Sequence, residues 1–163
     1  MALNAPIGRT FLLMGSGEFE PWSNEIEAAA LDGRPGPVAV LPTASSAEGD
    51  DVFGRWGRMG LEHYAAAGID ARLVRVKTRE DADRKDLARE LEGAAMVFFS
   101  GGKPQHLAET IHGTRLWDAL LAALDAGTVY AGCSAGALIA SQSRDQRRER
   151  GVRTGWVYGL GLV

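Results

Sequence analysis

Short runs of consecutive apolar residues alternate along this chain with longer segments in which apolar residues recur every three or four positions. The runs Thr10–Met14, Val38–Leu41, Ala71–Val76, Ala95–Phe99 and Val129–Gly132 are expected to be strands. Phe11-Leu12-Leu13-Met14 and Met96-Val97-Phe98-Phe99 are apolar on successive residues, so side chains on both sheet faces should be buried. Parallel strands covered by helices on two sides have that pattern. Helices are expected over residues 23–32, 48–67, 81–92, 104–112 and 114–126. Before the last of these Gly113 breaks the chain, Thr114 is a capping residue, and Trp117, Leu120, Leu121 and Leu124 follow until Gly127. Such alternation predicts an α/β fold, a doubly wound and mostly parallel sheet with helices on both faces, with residues 1–163 forming one domain.

Segment 48–67 carries a conflict. Phe53, Trp56, Met59 and Tyr64 suit a helical face, yet Gly54, Gly57 and Gly60 fall at every third position. Each glycine costs a helix interior about 1 kcal/mol relative to alanine. Either the helix backbone packs closely against a neighbour, or the stretch is partly loop or a subunit contact.

Composition narrows the class. The chain has 163 residues, net charge −3, 45% hydrophobic residues and one Cys. Its length and apolar content suffice for a core. A lone Cys excludes an internal disulfide framework and a Cys-based zinc site. A net acidic chain carries no electrostatic footprint for nucleic acid. No apolar stretch approaches the roughly 20 residues of a membrane span, and the N-terminus lacks a signal-peptide pattern. A cytoplasmic protein without metal, cofactor, nucleic-acid or membrane partner is expected.

The candidate chemistry centres on Val129-Tyr130-Ala131-Gly132-Cys133-Ser134-Ala135-Gly136-Ala137. A buried strand enters, a Gly-x-Ser-x-Gly turn follows, and a helix of small residues leaves, which is the pattern of a nucleophile elbow. Ser134 would be lifted into the crevice at the carboxyl end of the sheet, with the Ala135 amide placed for a developing oxyanion. Cys133 lacks the flanking glycines at the equivalent offsets and is expected to face the sheet as a small apolar filler. A second turn, Phe99-Ser100-Gly101-Gly102-Lys103-Pro104, ends a neighbouring buried strand and can present a backbone amide to the same point. A third, Met14-Gly15-Ser16-Gly17-Glu18-Phe19, falls short of a dinucleotide fingerprint because position 20 is Glu20. Glu18 either faces the nucleophile as a hydrogen-bond partner or substrate contact, or is a solvated loop residue.

These three segments together resemble the cyanophycinase and dipeptidase E family of serine peptidases, whose fold is related to the class I glutamine amidotransferases and is flavodoxin-like. The family pattern is a first strand ending in Gly-Gly-Gly-Glu-like residues, a later Phe-Phe-x-Gly-Gly-Asn turn, and a Gly-x-Ser-Ala-Gly-Ala elbow. Here they read Met14–Phe19, Phe98–Lys103 and Gly132–Ala137, and the likeness extends to Val38–Ala44 and Gly159–Val163. Ser16 replaces the middle glycine and Lys103 the usual Asn.

The resemblance implies Ser134 as nucleophile, the Gly102 and Ala135 amides as oxyanion donors, and Glu18, Gly101 and Lys103 as substrate contacts. It implies hydrolysis of a small peptide containing Asp, of aspartyl-dipeptide or cyanophycin type. In the family a His base lies just beyond the Gly-Leu-Gly-Leu segment and its acidic partner further on, so this chain is expected to lack its C-terminal part and to be nearly inactive. Of the three histidines, His63 is expected to be a partly exposed helix residue, His112 to sit at a helix C-terminus, and His106 to point outward from a helix start. Arg144, Arg147, Arg148, Arg150 and Arg153 form a local basic excess that is either a solvated loop or a holder of a substrate carboxylate. Family members commonly form dimers, for which the Trp and Gly residues of segment 48–67 are candidate contacts. The rivals are a non-catalytic relative that keeps the elbow, and an amidotransferase-like domain, disfavoured because Ser rather than Cys holds the elbow register.

Overall fold

The structure is a computed structural model and describes residues 8–141 and 159–163. Five strands, β1 (Phe11–Met14), β2 (Val38–Leu41), β3 (Ala71–Leu73), β4 (Met96–Phe99) and β5 (Val129–Cys133), form one parallel sheet in the order β1-β5-β4-β2-β3. All of β2, β4 and β5 is buried, as continuous apolar runs between two helical layers require. Alternation along each strand divides the core. Ala39, Leu41, Val97, Phe99 and Tyr130 face one layer, whereas Val38, Val40, Met96, Phe98, Ala131 and Cys133 face the other.

The second face is covered by α1 (Ser23–Leu31) and α2 (Asp50–Ala66), through Leu31, Tyr64 and the half-buried Trp56. The first is covered by α3 (Arg79–Ala82), α4 (Lys85–Arg89), α5 (Pro104–Ile111), α6 (Arg115–Asp125) and α7 (Ala135–Leu138), with Leu87, Leu107, Ile111, Leu116, Leu120 and Leu124 in its core. Leu162 closes the same core, its N–H bonded to the Ala140 carbonyl at 2.9 Å.

The doubly wound α/β architecture is as expected, with two local differences. In place of one helix over 81–92 there are two short ones, α3 and α4, separated at Asp83 and Arg84, and α3 starts earlier, at Arg79, behind a cap that uses Asp81. Its carboxylate accepts the Lys77 and Thr78 N–H groups at 3.0 and 3.2 Å, while the Thr78 side chain accepts the Asp81 N–H. The third strand stops at Leu73 rather than Val76. The Val74 N–H still reaches the Val40 carbonyl at 3.0 Å, but the Val76 N–H turns back to the Val74 carbonyl.

Segment 48–67 contains one unbroken helix, α2, after a 3-10 turn over Thr43–Glu48. A Cβ at Gly57 would lie 2.9 Å from both Leu73 methyls, and one at Gly60 2.8 Å from Val40 Cγ1. Close packing on the sheet therefore explains these two glycines. Gly54 has only Arg58 Nη1 nearby, at 3.7 Å.

Strand register fixes where chemistry can sit. Leu41 pairs with Phe99, Phe99 with Gly132, and Met14 with Cys133, so the carboxyl ends of β2, β4, β5 and β1 stand level. The chain leaves β2 for β3 on one side and returns to β4 on the other, and such a switch opens a crevice beyond the carboxyl ends.

Candidate active site

The elbow forms because its glycines let two backbones meet. A Cβ at Gly132 would stand 2.4 Å from the Gly136 carbonyl carbon, and one at Gly136 2.1 Å from the Phe99 carbonyl oxygen. No side-chain rotation relieves a backbone contact, so both positions are closed to larger residues. Tyr130, fully buried and stacked on Phe99 at 5.5 Å, donates its hydroxyl to the Gly136 carbonyl at 2.6 Å. That bond fixes α7 against the sheet.

Between the glycines Ser134 has φ 49° and ψ −107°, a backbone conformation that non-glycine residues seldom adopt. Its N–H is held by the Met14 carbonyl at 2.9 Å, its carbonyl accepts the Leu138 N–H at 2.9 Å, and its side chain is exposed. The Ala135 N–H has no acceptor among the described residues. Cys133 is fully buried in the core of the α1 and α2 face. Burial, reinforced by the nearby Glu18 carboxylate, pushes its thiol up to about 12. It is a protonated filler at neutral pH and no competitor to Ser134 as nucleophile.

The Ser100–Lys103 turn delivers one free amide. The Ser100 N–H bonds the Leu41 carbonyl at 3.2 Å, the Gly101 N–H bonds Glu18 Oε1 at 2.7 Å, and the Lys103 N–H bonds the Ala44 carbonyl at 2.8 Å. Only the Gly102 N–H lacks an acceptor among the described residues. Gly102 has φ 141°, and a Cβ there would stand 2.4 Å from the Ala44 carbonyl carbon, so only glycine fits. Lys103 is exposed at the N-cap of α5, ahead of Pro104 in its first turn.

Glu18 is buried, which removes the solvated-loop alternative. Its oxygen and the Ser134 Cβ approach one point from two sides. A Cβ at Gly101 would meet Glu18 Oε1 at 3.1 Å and Ser134 Cβ at 3.5 Å. Glu18, Gly101 and Ser134, from the ends of β1, β4 and β5, thus share one small volume, with Gly102 and Ala135 next to it in the chain.

The histidines lie elsewhere. His106 is half-buried rather than outward-pointing, with Nε2 2.8 Å from Ser46 Oγ. This pair resembles a nucleophile and base, but Ser46 Oγ also lies 2.9 Å from the Thr43 carbonyl and 2.8 Å from the Lys77 carbonyl. Its one proton goes to a carbonyl, so Oγ accepts from His106 Nε2–H. His112 follows α5, as expected, with its ring 5.6 Å from that of Trp117.

His63 corrects the expectation of a partly exposed residue. It is buried, with Nε2 2.7 Å from Glu27 Oε2, while Ser23 Oγ lies 2.9 Å from the Glu20 carbonyl and 3.3 Å from Glu27 Oε1. The signal was present in the periodicity. Phe53, Gly57, Gly60 and Tyr64 form the buried stripe of α2, and position 63 lies three residues from Gly60 on its border. Glu27 and Ser23 lie on α1 and gave no such signal. The Ser23 hydroxyl and the Glu27 carboxylate approach the same imidazole nitrogen, at 3.5 and 2.7 Å, so the trio is not a relay through the ring. The arginines from Arg144 to Arg153 lie outside the described residues. No group of His, Cys, Asp and Glu suited to a metal ion occurs among the described residues, and no helix among them is long and apolar enough to cross a membrane.

Comparison with known proteins agrees with this fold. A peptidase from an acI-B1 Actinobacterium has 30% sequence identity and a TM-score of 0.83, over 93% of this chain and 64% of that one. The chain thus spans just under two thirds of that peptidase. A candidate Peptidase E protein from Listeria monocytogenes EGD-e shares the fold, with a TM-score of 0.67 at 20% identity over 95% of this chain and 75% of that one. No curated protein matches significantly in sequence. The model of Peptidase family S51 matches residues 11–163, and the chain belongs to that family.

Proposed function

We propose that the chain carries the nucleophile half of a serine-type peptidase site that hydrolyses small Asp-containing peptides, of aspartyl-dipeptide or cyanophycin type. Ser134 Oγ attacks the carbonyl carbon of the peptide bond, and the negative oxygen that forms is received by the Gly102 and Ala135 amides. The C–N bond then breaks, the hydroxyl proton passes by way of a base to the departing amine, and water later hydrolyses the seryl ester. The observation that carries the proposal is Ser134 itself, exposed at φ 49° between two glycines whose places are fixed by backbone contact. A serine kept in that conformation, in a Gly-x-Ser-x-Gly turn, supports the reading as a nucleophile.

Hydrolysis by these 163 residues is expected to be slow. Each of the three histidines is committed away from Ser134, to Glu27, to Ser46 or beside Trp117. Loss of a triad base typically costs several orders of magnitude in rate. An amidotransferase-type Cys nucleophile finds no support, since the one Cys is buried in the core.

The test is intact-mass analysis after prolonged exposure to a fluorophosphonate, with peptide mapping of the adduct. A single adduct on Ser134, absent from Ser134→Ala, is expected. An adduct elsewhere, or none, would overturn the nucleophile assignment. Rapid hydrolysis of an aspartyl dipeptide that is abolished in Ser134→Ala would overturn the expectation of slow turnover alone.

A further inference from the structure

We infer that Glu18 is a positioning residue. By clamping the Gly101 amide, its carboxylate fixes the Gly101–Gly102 turn and leaves the Gly102 amide as the one donor of that turn open to a group on Ser134. The inference rests on the assignment of Ser134 as nucleophile, and concerns how its surroundings are built.

Three observations lead to it. The bond from the Gly101 N–H to Glu18 Oε1 is short, at 2.7 Å, buried, and joins residues 83 apart in sequence. It connects the loop after β1 to the loop after β4, which are not neighbours in the sheet because β5 lies between them. Moreover, the loop that delivers Glu18 is held in shape from outside the site. Phe19 has φ 63°, unusual for a bulky residue, and its buried ring lies 4.9 Å from that of Phe98 and 5.7 Å from that of His63. Finally, the carboxylate is electrostatically adverse where it stands. An anion beside Ser134 opposes a second negative charge on the carbonyl oxygen that Ser134 would attack. Holding the turn is a geometric function that offsets this opposition. With Gly101 taken by Glu18 and Lys103 by Ala44, the Gly102 amide cannot turn away without breaking a bond on one side or the other.

A clamp requires reach and an acceptor oxygen, whereas a role based on charge requires only the negative group. Glu18→Gln keeps the reach and an acceptor while losing the charge. Glu18→Asp keeps the charge and shortens the arm. Amide hydrogen exchange at Gly101 and Lys103, followed by NMR, and the rate of fluorophosphonate labelling of Ser134 distinguish the two roles. In Glu18→Asp the Gly101 amide is expected to exchange about 10- to 100-fold faster, the value of a hydrogen bond to a charged group. The Lys103 amide should be unchanged and labelling about tenfold or more slower. Glu18→Gln should restore both to within a few-fold of the starting protein. The inference is overturned if Glu18→Asp protects Gly101 as well as Glu does, or if Glu18→Gln labels as slowly as Glu18→Asp. Should the unaltered chain give no Ser134 adduct, the nucleophile assignment fails on its own, and exchange at Gly101 decides the clamp.

Discussion

The three glycines of α2 allow one substitution to be tried in three surroundings on one helix. Gly54→Ala gains helix propensity, about 0.8–1 kcal/mol, and its new methyl meets only Arg58 Nη1 at 3.7 Å, an ordinary contact. It should raise stability by nearly the full propensity term. Gly60→Ala gains the same term but sets a methyl 2.8 Å from Val40 Cγ1 and 3.0 Å from Phe19 Cζ. Val40 is β-branched on a fully buried strand and the buried Phe19 ring is packed between Phe98 and His63, so neither yields readily. Overpacking of that kind costs about 1–3 kcal/mol, for a net loss of roughly 0–2 kcal/mol once the propensity gain is deducted. Gly57→Ala should lie between, near zero, because the obstructing atoms are the two methyls of a half-buried Leu73 that can rotate. For a chain of this length 1 kcal/mol moves Tm by about 2–4 °C. Gly54→Ala should therefore melt a few degrees higher than the unaltered protein and Gly60→Ala a few degrees lower. Urea unfolding followed by far-UV circular dichroism should show shifted midpoints with unchanged slope. A Gly60→Ala protein as stable as Gly54→Ala would refute the close approach of α2 to β2.

Other expectations follow from buried polar groups. The hydroxyl of Ser100 is buried and has no partner among the described residues, so Ser100→Ala should be neutral or stabilising by up to about 1 kcal/mol in the same urea titration; a clear loss would mean that the hydroxyl is satisfied. His63→Ala and Glu27→Ala each remove one side of a buried 2.7 Å hydrogen bond and should cost about 1–3 kcal/mol. The double variant should fall well short of the sum, and additivity would show that the pair does not interact. Cys133 gives a pH dependence. Its folded-state value, about 12, lies above the ordinary value near 8.5, so the folded protein holds the proton more tightly. The resulting stability is complete below about pH 8.5 and falls by about 1.4 kcal/mol per pH unit above it, toward 12. Between pH 8.5 and 9.5 the unaltered protein should lose about 1 kcal/mol more than Cys133→Ala; Tyr64 and Tyr130, also raised by burial, titrate alike in both. Parallel pH profiles would refute the burial of the thiol.

How much of the fold was legible depended on how local its causes are. β2 and β4 could be read nearly to the residue because a run such as Val38-Ala39-Val40-Leu41, buried on every position, has no other stable place in a chain of this size. The break inside 81–92 was not legible. The residues at the break, Asp83 and Arg84, include neither Gly nor Pro, so no local breaker marks it. The glycines of α2 were ambiguous for a related reason. Their spacing shows that something approaches, but not that it is Val40 for Gly60, Leu73 for Gly57 and nothing for Gly54.

The candidate site divides in the same way. Most of the elbow is encoded locally, since Gly132 is required by its contact with Gly136 and Ser134 stands where the strand–turn–helix path reverses, while Gly136 is required by the Phe99 carbonyl of the neighbouring strand β4. The choice among the amides of the second turn is encoded by residues far away. Gly101 is removed by Glu18, 83 residues earlier, and Lys103 by the Ala44 carbonyl on another loop. The spacing alone leaves Gly101 and Gly102 equally good backbone donors and only the family resemblance points to Gly102, whereas the sheet order, which brings the ends of β1, β2 and β4 around that of β5, shows why the Gly101 amide is taken. The same distinction separates Ser134 from Ser46. Both are serines at the carboxyl edge, and Ser46 even has a histidine at 2.8 Å. The carbonyls of Thr43 and Lys77 compete for its proton, whereas the Ser134 side chain is exposed. The proposed role requires a hydroxyl proton that can be given up, and of the two hydroxyls only that of Ser134 has no partner among the described residues.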